Sequence, residues 1–204
     1  TETKAAFVLE TLVHVLLACI NNIRAQSQLL VPKLLFMARV MPRYRTRRVT
    51  AELKNNIGLQ RESIIIGMEA LAMDGWKMVT SGSTREQFSF ILQACDLVHR
   101  ANKKGIQFGH RDFHPGNLMC KKIKQTTKII GGVRFRTRYE WKYIDFGMSC
   151  ISNSKCARNK SFLLPPQEDT PYGDTPMSHC KNPQHHDVRL FFHALYDWEE
   201  DLKT

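Results

Sequence analysis

Apolar positions along the chain recur with two periods, and each period marks a different kind of element. Residues 5–20 are almost continuously apolar, broken by Glu10, Thr11 and His14. The run is shorter than the ~20 residues of a membrane span, so a buried helix is expected over about residues 5–22. VPKLLFMARV reads as a strand after Pro32, and Ile64 to Ile66 form the short apolar run of a second, buried strand. The clearest helix is predicted over residues 84–104. There Phe88, Ile91, Cys95 and Val98 recur at helical spacing, with Leu92 and Ala101 widening the stripe. Ser83 or Thr84 can cap its start with Glu86 and Gln87 as capping-box partners, and Gly105 sits where a left-handed cap is expected.

The period then changes to two. Gly131-Gly132 is a hairpin-turn signal, and beyond it Val133, Phe135, Thr137 and Tyr139 alternate with Arg134, Arg136, Arg138 and Glu140. A β-ribbon with one basic face is expected. Residues 148–186 show almost no periodicity, and a last helix is predicted from near Asp187, with Leu190, Phe191, Ala194 and Leu195 on one face.

Composition changes this picture in three ways. At 204 residues and 43% hydrophobic content, the chain can fold around one sizeable core or parts of two small lobes. A formal charge of +11 favours anionic partners, although solubility alone accounts for much of the excess. No signal-peptide pattern follows Thr1, so the six cysteines are expected to be reduced and an intracellular, cytoplasmic or host-cytoplasmic location is favoured. The non-Met start is read as either a processed terminus or a piece of a longer polypeptide.

The densest chemistry lies in HRDFHPGNLM, residues 110–119, and in the later triplet Asp145, Phe146, Gly147. Phosphoryl transfer asks a protein for positioning and charge control more than for covalent work. One carboxylate must orient the acceptor hydroxyl, and hard oxygen ligands must hold Mg²⁺ beside the phosphates. Asp112 and Asn117, five positions apart on a loop tightened by Pro115-Gly116, can face one cavity. Asp145, at the end of the apolar run WKYI, completes the oxygen set.

HRDFHPGN followed by IDFG resembles the catalytic loop and metal-binding turn of the protein kinase superfamily. The resemblance implies Asp112 as catalytic base, Asn117 and Asp145 as Mg²⁺ ligands, and His110 as a structural residue packed near Phe146. It implies Arg111 as a receptor for a phosphorylated loop residue, with Ser161, Thr170 and Thr175 as candidates. The helix of residues 84–104 resembles the one that precedes the catalytic loop. IIIGMEALA resembles the adenine-binding strand and hinge, with Met68 as gatekeeper and Glu69 to Leu71 offering backbone groups. Glu10, or its rival Glu2, is implied as the partner of a phosphate-binding Lys, and Asp187 as the residue that braces the catalytic loop. The implied fold is α+β and kinase-like: a partial small β-rich lobe with hinge over residues 1–72, then the first half of a helical lobe over 73–204.

The departures bear on the substrate. No Gly-rich loop or strand Lys precedes the first helix, and none of the family's Ala-Pro-Glu triplets closes the activation segment. Such a piece could be inactive alone, because a lost phosphate-gripping Lys weakens nucleotide positioning. His114 stands where serine/threonine kinases carry Lys, and HPGN is closer to aminoglycoside and ubiquinone-related branches, whereas Arg111 points to protein kinases. The expected activity is ATP-dependent transfer to a protein serine or threonine with Mg²⁺. The alternatives are a small-molecule kinase and a catalytically silent binding module that works through its basic faces.

Blander readings stand beside these. Glu10 could be a polar edge residue, and Asp187 a plain N-cap. Cys150, Cys156, His179, Cys180, His185 and His186 could supply four zinc ligands but form no tight CxxC pair, so spare loop residues are the favoured reading. Aromatics interleave with Arg on the ribbon as nucleic-acid stacking would require. Alternation also describes a half-buried ribbon with a solvated face, and that reading is preferred.

Overall fold

The computed structural model describes residues 10–18, 30–40, 63–102, 106–153 and 183–201. In chain order these are helix α1 (10–18), strands β1 (Leu34–Val40), β2 (Ser63–Met68) and β3 (Met73–Asp74), then helices α2 (Gly75–Ser81) and α3 (Thr84–Ala101). Strand β4 (Ile106–Gly109), a 3₁₀ turn (Pro115–Asn117), strands β5 (Leu118–Ile130), β6 (Val133–Tyr143) and β7 (Cys150–Asn153), and helix α4 (Pro183–Asp201) follow. Three small antiparallel sheets form: β1–β2, β3–β5–β6 and β4–β7. The architecture is therefore α+β. Glu2, Gly105, Cys156, Ser161, Thr170, Thr175, His179 and Cys180 lie outside the described residues.

The chain divides into two units, residues 32–70 and the remainder. In the smaller unit β1 and β2 pair from Leu34↔Met68 to Val40↔Ser63, and the Phe36 ring lies where any Cβ on Gly67 would project. The open end of the ladder is closed by Lys33 and Glu69. Lys33 N–H donates to the Glu69 carboxylate, and Glu69 N–H donates to the Lys33 carbonyl, each at 2.9 Å.

In the larger unit α3 carries the predicted capping box, with Ser83 N–H and hydroxyl both donating to the Glu86 carboxylate at 3.1 and 2.8 Å. The buried stripe matches the predicted one only in part, at Val98 and Ala101. Phe88 is 50% exposed, whereas Phe90, Ala94, Leu97 and Ala101 face the core together with Val98. Two polar residues share the buried face because each has a partner: Gln93 Nε2 donates to Ser89 Oγ at 3.1 Å, and Lys128 Nζ to Gln93 Oε1 at 2.8 Å. Helix α3 also ends at Ala101, earlier than expected. Asn102 stops it, its amide donating to Val98 and Phe108 carbonyls and its Oδ1 accepting Phe108 N–H, which fixes β4 against the helix end.

Helix α2 was not predicted. Its cap is Asp74, whose carboxylate accepts Lys77 N–H at 2.8 Å. A Cβ on Gly75 would strike the Pro115 carbonyl and the Phe90 ring, so glycine lets α2 start directly against the loop before β5. The ribbon matches its pattern. Gly131 and Gly132 take φ of +55° and +79°, which suits a tight hairpin turn, and Phe135 and Thr137 are buried while Arg134, Arg136 and Arg138 face outward. The aromatic Trp141 is buried too, and packs its ring 4.4 Å from Phe90.

Helix α4 begins at Pro183, ahead of the expected start near Asp187, because proline suits a first helical turn. Phe191 is buried against Phe90 and Phe113, with ring centroids 5.5 and 5.3 Å away. Cys95 and Cys120 are free thiols, but Cys150 is disulfide-bonded, against the reduced state expected of all six. Among the described residues no helix is long and apolar enough to cross a membrane.

Candidate active site

The loop from His110 to Asn117 leaves β4 and enters β5 through the 3₁₀ turn. Its backbone is strained at Arg111, where φ of 66° lies in the left-handed region that costs a residue with a Cβ ~1–2 kcal/mol. Helix α4 holds it there. Asp187 is wholly buried, and its two carboxylate oxygens accept the N–H groups of His110 at 2.8 Å and Arg111 at 2.9 Å. Burial pushes the Asp187 pKa up to about 7, against the lowering effect of those two N–H groups and the Arg111 charge. Asp187 lies past the first turn of α4, so it is not that helix's N-cap.

A second grip comes from Ile144. The His110 ring is fully buried among Phe108, Phe113, Tyr143 and Phe146. Its Nε2 lies 2.9 Å from the Ile144 carbonyl, which can only accept, so Nε2 carries the hydrogen. Burial lowers the His110 pKa and keeps the ring neutral. Ile144 N–H in turn donates to the Asn117 carbonyl at 3.1 Å. Both backbone groups of the residue before Asp145 are thereby tied to the loop.

Within this frame Asp112 is partly exposed and Asn117 buried. Asn117 Nδ2 donates to the Asp112 carbonyl at 2.8 Å and to its Oδ2 at 2.9 Å. His114 Nδ1 accepts Gly116 N–H at 3.1 Å, which leaves Nε2 as the protonated nitrogen, 3.6 Å from Asp112 Oδ1. That separation is longer than a full hydrogen bond and leaves a weak polar contact. The polar contact with His114 foremost, then the Asn117 amide, holds the Asp112 carboxyl below its usual range against the opposing effect of burial. Asp112 is therefore ionised at neutral pH.

Asp145 is exposed, with φ of 58° and Oδ1 accepting Gly147 N–H at 3.3 Å. Glu10 on α1 is half-buried and accepts a hydrogen bond from the Phe146 backbone. Burial, then the Asp145 charge, raises the Glu10 pKa. One helical turn on, His14 meets Phe146 edge to face at 5.8 Å. The sequence reading did not single out His14, although its i,i+4 spacing from Glu10 puts both on one helix face. It also treated His114 only as a departure, without its contact to Asp112.

The structure thus gathers Glu10, His110, Arg111, Asp112, Asn117, Asp145 and Asp187 in the larger unit. Met68 and Glu69 lie in the smaller unit, where Met68 is exposed and Glu69 N–H is already bonded to Lys33. Leu71 opens the second stretch of the larger unit, beside Ala72, whose N–H donates to the Cys120 carbonyl at 2.7 Å. Arg111 is buried, and its Nε and Nη2 find no acceptor among the described residues. Asp145 and Asn117 present carboxylate and amide oxygens, the hard donors that suit Mg²⁺, which takes one or two protein carboxylates and fills its shell with water and phosphate. Among the described residues no group of three or more His, Cys, Asp and Glu could hold a metal, and of the zinc candidates only Cys150, His185 and His186 are described. Neither a protein-family model nor a curated protein matches this chain.

Proposed function

We propose that the chain carries the reaction centre of an ATP-dependent phosphotransferase of kinase-like, two-lobed fold, which acts on a serine or threonine hydroxyl of a protein. The observation that carries this reading is the double bracing of the loop. Asp187 fixes its strained start, and Ile144 ties its end to Asp145, so three oxygen-bearing side chains are held on one frame. Asp112 is ionised and pinned by Asn117, which suits orienting an acceptor hydroxyl and receiving its proton. A low pKa makes it a weak base, which is adequate where the transition state is loose and positioning dominates. Asn117 Oδ1 and the Asp145 carboxylate would hold Mg²⁺, which supplies charge neutralisation at the phosphates. Glu10 would face the phosphate-gripping Lys of the family, and its like-charge contact with Asp145 is eased by a nearby cation. Adenine would take its hydrogen bonds from hinge groups other than Glu69 and Ala72 N–H, both already engaged. The unpartnered Arg111 nitrogens support an anionic group near the loop.

A small-molecule acceptor is the second reading, and the contact of His114 with Asp112 favours it, since protein kinases carry Lys there. Assaying the full-length protein with Mg-ATP against serine and threonine peptides, sugars, choline and aminoglycosides separates the two. Asp145→Ala is expected to lower turnover at least ~10²-fold, in line with removing a principal charge-stabilising group. Turnover that survives this change refutes the proposed Mg²⁺ role; wild-type protein with no turnover at all leaves the silent module as the better reading.

A further inference from the structure

Between the start of α3 and the ribbon lies a pocket of about 240 Å³ that none of the candidate catalytic residues lines. Arg85 reaches it from the first turn of α3, and Arg136 and Arg138 from the outward face of β6. Gln125 joins them from an irregular stretch of β5, where the pairing with β6 shifts between Lys122 and Thr126. A bulge of this kind bends a ribbon and re-aims its side chains, which is how a flat ladder comes to bound a concavity. Glu86 is the one carboxylate of the lining, and the Ser83 cap already engages it. The lining has a net charge of +2.

None of the three arginines makes an ion pair among the described residues. Glu86 attracts Arg138 but offsets only one of the three positive charges, so the arginines still repel one another, and an anion between them turns that repulsion into attraction. The volume lies below the ~300–1,000 Å³ of pockets for drug-sized ligands, so it suits one small charged group better than a nucleotide. Guanidinium forks match phosphate oxygens two at a time, and a phosphate monoester offers about two charges and three acceptor oxygens. Nucleic acid fits less well, because Phe135 and Trp141 are buried under the ribbon and cannot stack on bases. We propose that this pocket binds the phosphate of a phosphate monoester. The proposal is independent of the catalytic reading.

The test is a titration of the whole chain with O-phosphoserine, inorganic phosphate and serine at fixed ionic strength, followed by the amide resonances of Gln125, Arg136 and Arg138. Saturable shifts are expected from both phosphate compounds and none from serine. Arg136→Gln/Arg138→Gln should weaken binding about tenfold, with the melting temperature checking that the fold persists. Arg85→Gln, on a separate element, should weaken the same site about threefold. A phosphoserine peptide that binds more tightly than inorganic phosphate assigns a protein-borne phosphate, and equal affinity assigns a free one; either supports the site. Absence of saturable shifts in the wild type, or unchanged affinity in both variants, overturns it. So does an oligonucleotide that binds these residues while phosphoserine does not.

Discussion

The loop from His110 to Asn117 and the basic ribbon are joined end to end at Leu118 and Tyr143, yet they are specified by different physics. The ribbon is a local structure. Two glycines with positive φ turn the chain, and alternation over residues 134–138 decides which side chains face water there. The loop is a non-local one. Its strained Arg111 is fixed by a carboxylate 76 residues further along the chain, and its far end by the backbone of Ile144. Local patterns build a surface cheaply, whereas a chemical site needs distant elements to over-determine a conformation that no short segment would choose.

Phe90→Ala should test whether the two regions are energetically separate, and with the largest effect. Phe90 touches Trp141 at the ribbon's base and Phe191 on the helix that carries Asp187. A loss of about 3–5 kcal/mol is expected in denaturant unfolding, with one cooperative transition for both. Two separate transitions would show that they fold independently.

Asp187→Asn sharpens the comparison from the loop side. An amide can accept only one of the two N–H bonds, so about 1–3 kcal/mol should be lost. The sign of its pH dependence is distinctive. With a folded pKa of about 7 above the ordinary aspartate value of 3.8, the wild-type group contributes most below about pH 4, and that contribution fades as pH rises through 7. The difference between wild type and variant should carry that slope. His110 acts oppositely: its depressed pKa makes stability fall as pH drops below the ordinary imidazole range, and both proteins share this loss. A difference that is flat from pH 4 to 7 would argue against a protonatable Asp187.

On the ribbon side, Gly132→Ala forces a Cβ into φ of +79° and should cost about 1–2 kcal/mol in thermal unfolding, with the loop unaffected. Arg134→Gln, on the solvated face, should stay within about 0.5 kcal/mol of wild type. A large effect there would mean that the basic face has structural partners.

The same contrast explains what could be read from the sequence. The Gly131-Gly132 turn, the ribbon alternation and the Ser83–Glu86 cap are short-range signals, and each is found where its pattern predicts. Periodicity placed Val98 and Ala101 on the buried α3 stripe but not its other members, because hydrophobicity is not burial. Phe88 is apolar and exposed, whereas Ser89 and Gln93 are polar and buried through partners on the same helix and on β5. Helix α2 escaped because its seven residues hold too little periodic signal, although Asp74 and Gly75 mark its start. Motif spacing singled out Asp112, Asn117 and Asp145. It could not reveal that Asp187 grips two N–H groups, that Ile144 bonds to the loop in both directions, or that His114 reaches toward Asp112, since those contacts exist only in three dimensions.

The two-way attachment of Ile144 has a dynamic consequence. Displacing Ile144 as a whole residue must break its links to both His110 and Asn117, because its carbonyl holds one and its N–H the other, so the acid on that turn and the loop beneath it share one motion. Deuterium uptake at the Ile144 amide would time that motion directly, and a slow rate would mean that the two segments part only rarely.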